Sequence, residues 1–540
     1  MRVLGINAVF HDPAAALVVD GHIVAAAEEE RFSRRKHGKP PVAFSTWELP
    51  EQSARWCLEH AGLSPAALDA VAYSYEPGLA PVGADLIAEG WEGLRTLYAQ
   101  RAPLFLRTAL PGLDPARVRH VPHHVAHAAS AYLAAPFERA AVLVLDGRGE
   151  RASHLAGHAV DGELKILAVQ RLPHSLGLVY EEATAHLGFQ RASDEYKVMA
   201  LASYGRPRFL PALRERIRAT GDGGFTVAPI DWSAYTPPAR DGGWDERHAD
   251  LAASVQARLQ EVLLDLTRWL QGRTGEHDLV MAGGVALNCV ANSFLAEHGP
   301  FRHVWVQPAA GDAGTALGAA LHVAQRLGDP IAPMSTAALG RGWSDEALQS
   351  WLAGAAVPYD EPDDIADAVA ELIAAGDVVG WFQGRSEYGP RALGHRSLLA
   401  SAADPDNVQR LNAIKGRESF RPVAPMVLLE RAPDIFDGPL PSPYMLFTHR
   451  VRSDWRARIP AAVHVDGTAR VQTVDAREEP LVAQMLGAVA RRTGVPVVVN
   501  TSFNTAGRPM VDDPRDALEC FGASPIDALA LGPFLVRRRP

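Results

Sequence analysis

The chain has 540 residues, 47% of them hydrophobic and 21% charged, with a formal net charge of −10. That length exceeds what one core organises, so two or three domains are expected, each able to bury a substantial core. The acidic balance argues against a general affinity for nucleic acid or anionic membranes.

Three cysteines, Cys57, Cys289 and Cys520, lie far apart with no CxxC pairing. They suggest neither a disulfide framework nor a thiolate metal site. No apolar run is long enough to span a bilayer, and Met1–Asn7 lacks the apolar core of a signal peptide, so a soluble cytoplasmic protein is expected.

Val3–Asn7 reads as a strand, Ala14–Val19 as a second, and Asp20-Gly21 as a hairpin turn into Ile23–Ala27. The same grammar returns in Val142–Asp146, Ser153–Val160 and the Asp161-Gly162 turn into Leu164–Val169. Helical segments follow each meander: Pro50–Ala61 and His123–Ala135 after the first, Leu178–Leu187 and Leu251–Gln271 after the second. A sheet with helices, used twice, predicts two α/β lobes facing a cleft, the architecture of the actin-like, sugar-kinase-like and Hsp70-like group. The competing reading is that Asp-Gly hairpins are common and the repetition is coincidence.

His123 and His127 are four residues apart on the predicted helix and share a face, and Asp146 ends an apolar strand. Imidazole and carboxylate together suit a hard or borderline cation. Asp312, between a strand and a helix, fits the same set, although a residue so placed is more often a helix N-cap. Gly283-Gly284, ahead of Asn288, and Gly311, ahead of Gly314, are glycine-rich exits from strands. Such junctions let a backbone approach an anion at a helix N-terminus. Gly147-Arg148-Gly149-Glu150-Arg151-Ala152 fits a loose dinucleotide fingerprint, but strand-like residues follow it, and no GxxxxGK[ST] occurs.

The segment from Gly328 to Gly342 is rich in Gly, Pro and Ala and is expected to link domains. Beyond it lie a helix over Asp364–Ala375 and a buried strand, Val378–Phe382. Then Arg385, Arg391, Arg396, Arg410, Lys415, Arg417 and Arg421 crowd one stretch among Gly389, Pro390, Gly394 and Pro422. Arginines on loops suit bidentate capture of phosphate or carboxylate. A salt-bridged surface with Glu387, Asp404, Asp406 and Glu418 is the alternative. The strand Val495–Val499 runs into Asn500-Thr501-Ser502-Phe503-Asn504, polar side chains at a strand end.

Several of these segments, taken in order, resemble one family. Phe10–Ala16, Glu28–His37, His123–Ala128 and Glu195–Met199 are similar to its N-terminal signatures. Gly389–Gly394, Arg417–Pro422 and Asn500–Asn504 are similar to its C-terminal ones. The family is the O-carbamoyltransferases of nodulation-factor and antibiotic biosynthesis, including the hydroxymethylcephem and aminoglycoside enzymes. The resemblance covers essentially the whole chain. It departs modestly where Val423, Ala200 and Ser203 stand, which touches fine geometry rather than reaction class.

The resemblance implies an α/β protein whose N-terminal domain, residues 1–340, has a duplicated actin-like fold similar to the tRNA threonylcarbamoyl-adenosine transferase. Its lobes would fall at about 1–140 and 141–340, followed by a linker at 341–364 and a YrdC-like α/β domain at 365–540. It implies that carbamoyl phosphate and ATP, with Mg2+, give carbamoyl adenylate in the C-terminal domain. The N-terminal domain would then pass the carbamoyl group to a hydroxyl of a small-molecule acceptor, with no nucleic acid or membrane partner. His123, His127, Asp146 and Asp312 match ligands of Fe2+ or another divalent metal. Lys36, Gly284 and Asn288, with Asp146 and Asp312, match the carbamoyl-adenylate site. Arg391, Lys415, Arg421, Arg470, Asn500 and Ser502 match the carbamoyl-phosphate and ATP site.

His11, at the end of the first strand, is the expected general base, since an imidazole near its ordinary pKa suits that role. Packing against Asp12 is the plainer alternative. The segments 76–90 and 221–246 are expected to shape the acceptor pocket without naming the acceptor. Two other functions stay open: a tRNA-modifying transferase of the same superfamily, against which the basic second half and acidic net charge weigh, and a non-catalytic nucleotide- or metal-binding protein.

Overall fold

The computed structural model describes residues 1–38, 49–80, 90–240 and 243–538. They divide into two compact units, Met1–Ser335 and Thr336–Pro540, with the division inside the expected 328–342 connector.

The first unit holds two sheets of matching topology. In the first, β1 (Arg2–Asn7), β2 (Ala14–Val19) and β3 (His22–Glu28) form an antiparallel meander. β4 (Ala70–Tyr73) and β5 (Val118–His120) add in parallel beside β1, giving the order β3-β2-β1-β4-β5. The second meander is β6 (Arg139–Leu145), β7 (Ala152–Val160) and β8 (Glu163–Arg171), followed by a small hairpin of β9 (Ile217–Ala219) and β10 (Phe225–Val227). With β11 (Asp278–Ala282) and β12 (His303–Val306) the second sheet runs β8-β7-β6-β11-β12, the first order repeated. This is the duplicated actin-like arrangement expected from the paired meanders. Asp20-Gly21 and Asp161-Gly162 make the hairpins with positive φ at both residues (49° and 79°, 50° and 80°), the twist that matches flanking strands.

The lobes are not cut cleanly near residue 140, because two helices cross over. The helix Ala313–Arg326, late in the unit, packs on β1 and β2 of the first sheet. The helix His123–Tyr132, early in the unit, packs on β6, β7 and β11 of the second. The two helices also pack on each other. Glycine permits this closeness. A Cβ on Gly5 would stand 1.8 Å from Ala316 O, and one on Gly318 would stand 1.8 Å from Ala126 O. Backbone thus meets backbone where the two crossing helices and β1 converge.

The second unit is built on a seven-stranded mixed sheet. In chain order its strands are β13 (Val379–Phe382), β14 (Arg396–Ser401) and β15 (Ala424–Leu428). A three-stranded side sheet of β16 (Phe436–Asp437), β17 (His449–Val451) and β18 (Thr468–Ala469) interrupts. The main sheet then continues with β19 (Gln472–Val474), β20 (Val497–Ser502), β21 (Ala528–Leu531) and β22 (Phe534–Arg537). Its order is β19-β15-β20-β14-β13-β21-β22. One core is shared with the helices Ile365–Ala375 and Pro480–Thr493. The stretch 341–364, expected as a linker, is built into this unit: Leu348 and Leu352 of the helix Asp345–Gly354 are buried in the other core, and Asp360 pairs with Leu535.

Because Gly318 lies at backbone contact, Gly318→Val should destabilise the first unit by about 1–3 kcal/mol through overpacking. Denaturant unfolding of the full chain checks this, and an unchanged midpoint would contradict the packing described.

Candidate metal centre and a polar strand end

His123 and His127 rise from one face of the helix His123–Tyr132 and are fully buried. Asp146 follows β6, and Asp312 precedes the helix Ala313–Arg326. Asp312 occupies the N-cap position, yet its side chain makes no capping hydrogen bond. It turns instead toward the histidines, which decides between the two roles open for it in the sequence.

The four side chains meet without touching. His123 Nε2 stands 3.6 Å from Asp146 Oδ2 and 3.5 Å from Asp312 Oδ1. His127 Nε2 stands 3.9 Å and 3.4 Å from the same two oxygens. These separations exceed ordinary hydrogen bonds. Donors each about 2.0–2.2 Å from a shared cation fall roughly 3–3.5 Å apart, close to what is seen. Both Nε2 atoms are buried and lack a hydrogen-bond partner, a costly state unless something binds them. The donor set therefore fits a divalent cation.

The surrounding bonds orient each donor. His123 Nδ1 donates to Ser74 O at 3.2 Å, which directs the lone pair of Nε2 inward. Asp146 Oδ1 accepts from Gly284 N at 3.0 Å, and Asp312 Oδ2 accepts from His11 N at 3.1 Å. Buried Glu150 accepts from the amides of His123 (2.9 Å) and Glu76 (2.8 Å). A buried chain of polar groups lies behind these. Thr315 Oγ1 donates to Asp312 O at 2.6 Å or Ser74 Oγ at 2.9 Å, Ser74 Oγ donates to Asn7 Oδ1 at 3.2 Å, and Asn7 Nδ2 donates to the carbonyls of His11 (2.7 Å) and Asp12 (3.0 Å).

Burial opposes a charged imidazole at His123, but Asp146 and Asp312 outweigh it and raise its pKa well above the ordinary value. Burial also pushes the carboxylates up, yet the histidines hold both down, Asp312 to about 2. Both carboxylates are thus held anionic, and a cation binding here would have to displace the proton that the raised pKa keeps on His123.

Of the other residues singled out, His11 lies on the β1–β2 loop with its ring centroid 6.0 Å from that of His37. Lys36 opens the turn Lys36–Gly38 beside it. Gly284 reaches the centre through its amide. Asn288 does not: its side chain accepts from Ala291 N to cap the helix Cys289–His298 and exchanges hydrogen bonds with Gln256 at 2.8 and 3.2 Å. Ser74, Glu150, Asn7 and Thr315 carry no sequence signal that marks them. Residues 81–89 and 241–242, parts of the segments expected to shape an acceptor pocket, lie outside the described residues.

In the second unit, the end of β20 gathers the other set. Lys415 Nζ donates to Ser502 Oγ at 3.0 Å and Asn504 O at 3.1 Å, and bonds closely to Ser502 O and Asn504 Oδ1. Asn500 Nδ2 donates to Ala392 O at 3.1 Å and Gln472 Oε1 at 2.8 Å, tying in the segments that carry Arg391 and Arg470. Arg421 O accepts from Asn412 Nδ2 at 3.0 Å, while the Arg421 side chain pairs with Glu418 at 3.4 Å. Asn500 Oδ1 is buried without a hydrogen-bond partner.

Two family models match the chain: carbamoyltransferase N-terminus over residues 2–84 and 108–321, and carbamoyltransferase C-terminus over 370–538. The chain belongs to the carbamoyltransferase family. Among relatives of this carbamoyltransferase, an uncharacterized Synechocystis protein is 37% identical, with 99% of this chain and 97% of that one covered. Nodulation protein NolNO of Sinorhizobium fredii is 38% identical over 99% and 80%. Nodulation protein U of Rhizobium tropici is 31% identical over 96% and 93%. No described helix is long and apolar enough to cross a membrane.

Asp146→Asn keeps the shape of the carboxylate and removes its charge. It should weaken binding of Fe2+ or another divalent cation by more than about tenfold. Anaerobic equilibrium titration measures this, and equal affinity in the two proteins would refute the centre.

Proposed function

We propose that this carbamoyltransferase is an ATP-dependent O-carbamoyltransferase. Carbamoyl phosphate and ATP, with Mg2+, would give carbamoyl adenylate in the second unit, which we read as YrdC-like. The first unit would pass the carbamoyl group to a hydroxyl of a natural-product or glycan acceptor. The observation that carries this reading is the buried His123–His127–Asp146–Asp312 set, spaced for a cation rather than for mutual hydrogen bonding.

A divalent cation held by those four, Fe2+ in our reading, supplies Lewis acidity toward a carbonyl oxygen. The remaining steps belong to the chain. Lys415 and Ser502, with Arg391, Arg421 and Arg470 on neighbouring segments, are assigned to the phosphates of carbamoyl phosphate and ATP, where positive charge and positioning dominate transfer. Asn500 holds the Arg391 and Arg470 segments together through its two donated bonds. Lys36, Gly284 and Asn288 are assigned to the adenylate, Gly284 while holding Asp146 and Asn288 by way of its helix start. His11, whose amide fixes Asp312, is the assigned base for the acceptor hydroxyl, a role worth about 10²–10⁴-fold.

Purified protein given ATP, Mg2+ and carbamoyl phosphate should release pyrophosphate, and Arg421→Ala should lower that rate by about 10²-fold or more. Release independent of carbamoyl phosphate, or undiminished in the variant, would remove the assignment.

A further inference from the structure

A second group of donor atoms adjoins the first. His11, Asp12 and His37 offer donors within 4.8 Å of one another, as do the four residues of the metal centre, but the spacing inside the group differs. No hydrogen bond joins the metal-centre donors. Here His37 Nδ1 stands 2.7 Å from Asp12 Oδ1, a closed hydrogen bond, and His37 Nε2 stands 3.1 Å from Ser193 Oγ. A cation would have to break the first contact, whereas proton transfer uses both. Carboxylate, imidazole and hydroxyl in line, with the hydroxyl on the far nitrogen, is the arrangement that makes a serine oxygen nucleophilic.

The backbone holds this line in place. Asp12, His37 and Ala192 have φ of 46°, 59° and 58°, a region non-glycine residues rarely occupy. Each is fastened. Asn7 Nδ2 binds Asp12 O at 3.0 Å, His37 N donates to Glu30 Oε2 at 2.7 Å, and Ala192 N donates to Glu195 Oε1 at 2.6 Å. Burial alone would strip the proton from His37, but Asp12 outweighs it and raises the pKa, while His37 lowers Asp12 to about 2 against burial. The His37 side chain is still 25% exposed, which leaves room for a small group to arrive. The line adjoins the metal centre, since His11, next to Asp12, donates its amide to Asp312.

We propose that Ser193 is itself an alcohol acceptor of this protein, carbamoylated on Oγ with His37 as base and Asp12 as the group that orients it. The proposal rests on the activation reading above, which supplies the carbamoyl donor. Ser193 Oγ attacks the carbamoyl carbon of the adenylate and forms a new C–O bond. The bond from that carbon to the phosphate oxygen breaks, AMP leaves with that oxygen and its electron pair, and the Oγ proton passes to His37 Nε2. No oxidant or reductant enters. A serine carbamate is a far weaker electrophile than a mixed anhydride, so the product persists.

The test uses the full-length, cation-loaded protein with ATP, Mg2+ and carbamoyl phosphate. Pyrophosphate release and peptide mass mapping are followed together, with carbamoyl phosphate lacking ATP as the control for cyanate chemistry. One ATP-dependent carbamoyl group is expected on Ser193, absent in Ser193→Ala and formed about 10²-fold or more slowly in His37→Gln. In His37→Gly, where glycine takes the positive φ freely, added imidazole should restore part of the rate, an effect a purely structural role would not give. Pyrophosphate release with Ser193 unmodified overturns the proposal. So does labelling that proceeds equally without ATP or in His37→Gln. No pyrophosphate from any protein removes the activation reading instead, and this proposal with it.

Discussion

Two carboxylates, Asp146 and Asp312, sit buried within 4 Å of two buried imidazoles, and the first unit is arranged around that charge. In a medium of low polarity two like charges so close cost a great deal unless opposite charge answers them. A protonated His123 would answer in part, as its raised pKa shows. A divalent cation answers fully and also gives both Nε2 atoms the partner they lack. The amides of Gly284 and His11, one on each carboxylate, then act as orienting groups rather than as the main compensation.

The crossing of two helices is what brings those donors together. His123 and His127 come from a helix early in the unit that leans on the second sheet, and Asp312 heads a late helix that leans on the first. Asp146 directly follows the first strand of the second meander. Four donors from three distant stretches meet only if the helices approach to backbone contact, which Gly5 and Gly318 permit. Larger residues there would meet backbone atoms and force the helices, and the donors they carry, apart. The small-residue face of Ala313–Arg326 is thus a requirement of the centre as much as of the core.

The meanders, their Asp-Gly turns and the α/β class were legible in the sequence because they depend on local rules: alternation, turn chemistry and apolar run length. The histidine pair was legible for the same reason, since a spacing of four on a helix fixes a shared face. Asp312 was ambiguous, because N-cap and ligand ask for the same residue at the same place, and only its side-chain direction separates them. Asn288 was marked by the family resemblance alone; its side-chain bonds to its own helix and to Gln256 follow from tertiary assembly and no local pattern announces them. Ser74, Glu150, Asn7 and Thr315 were not legible. Their role comes from carbonyls and hydroxyls that become neighbours only after the sheets and helices assemble. The helix Asp345–Gly354 was missed because Gly and Pro nearby suggested a connector, while tertiary burial of Leu348 and Leu352 outweighed that local signal.

One short loop serves both polar groups of the first unit. Residues 8–13 join β1 to β2, and within it His11 and Asp12 diverge: the amide of His11 fixes Asp312, while the carboxylate of Asp12 fixes His37. Asn7 Nδ2 holds the carbonyls of both. Because Asn7 Oδ1 in turn accepts from Ser74 Oγ, and Ser74 O accepts from His123, the loop is joined by hydrogen bonds to the buried His/Asp group. A shift of this loop that moved Asp12 away from His37 would also strain the bonds from Asn7 and to Asp312. These hydrogen bonds join the two groups through one loop; coupling between them would require that loop to hold two arrangements whose balance both groups bias.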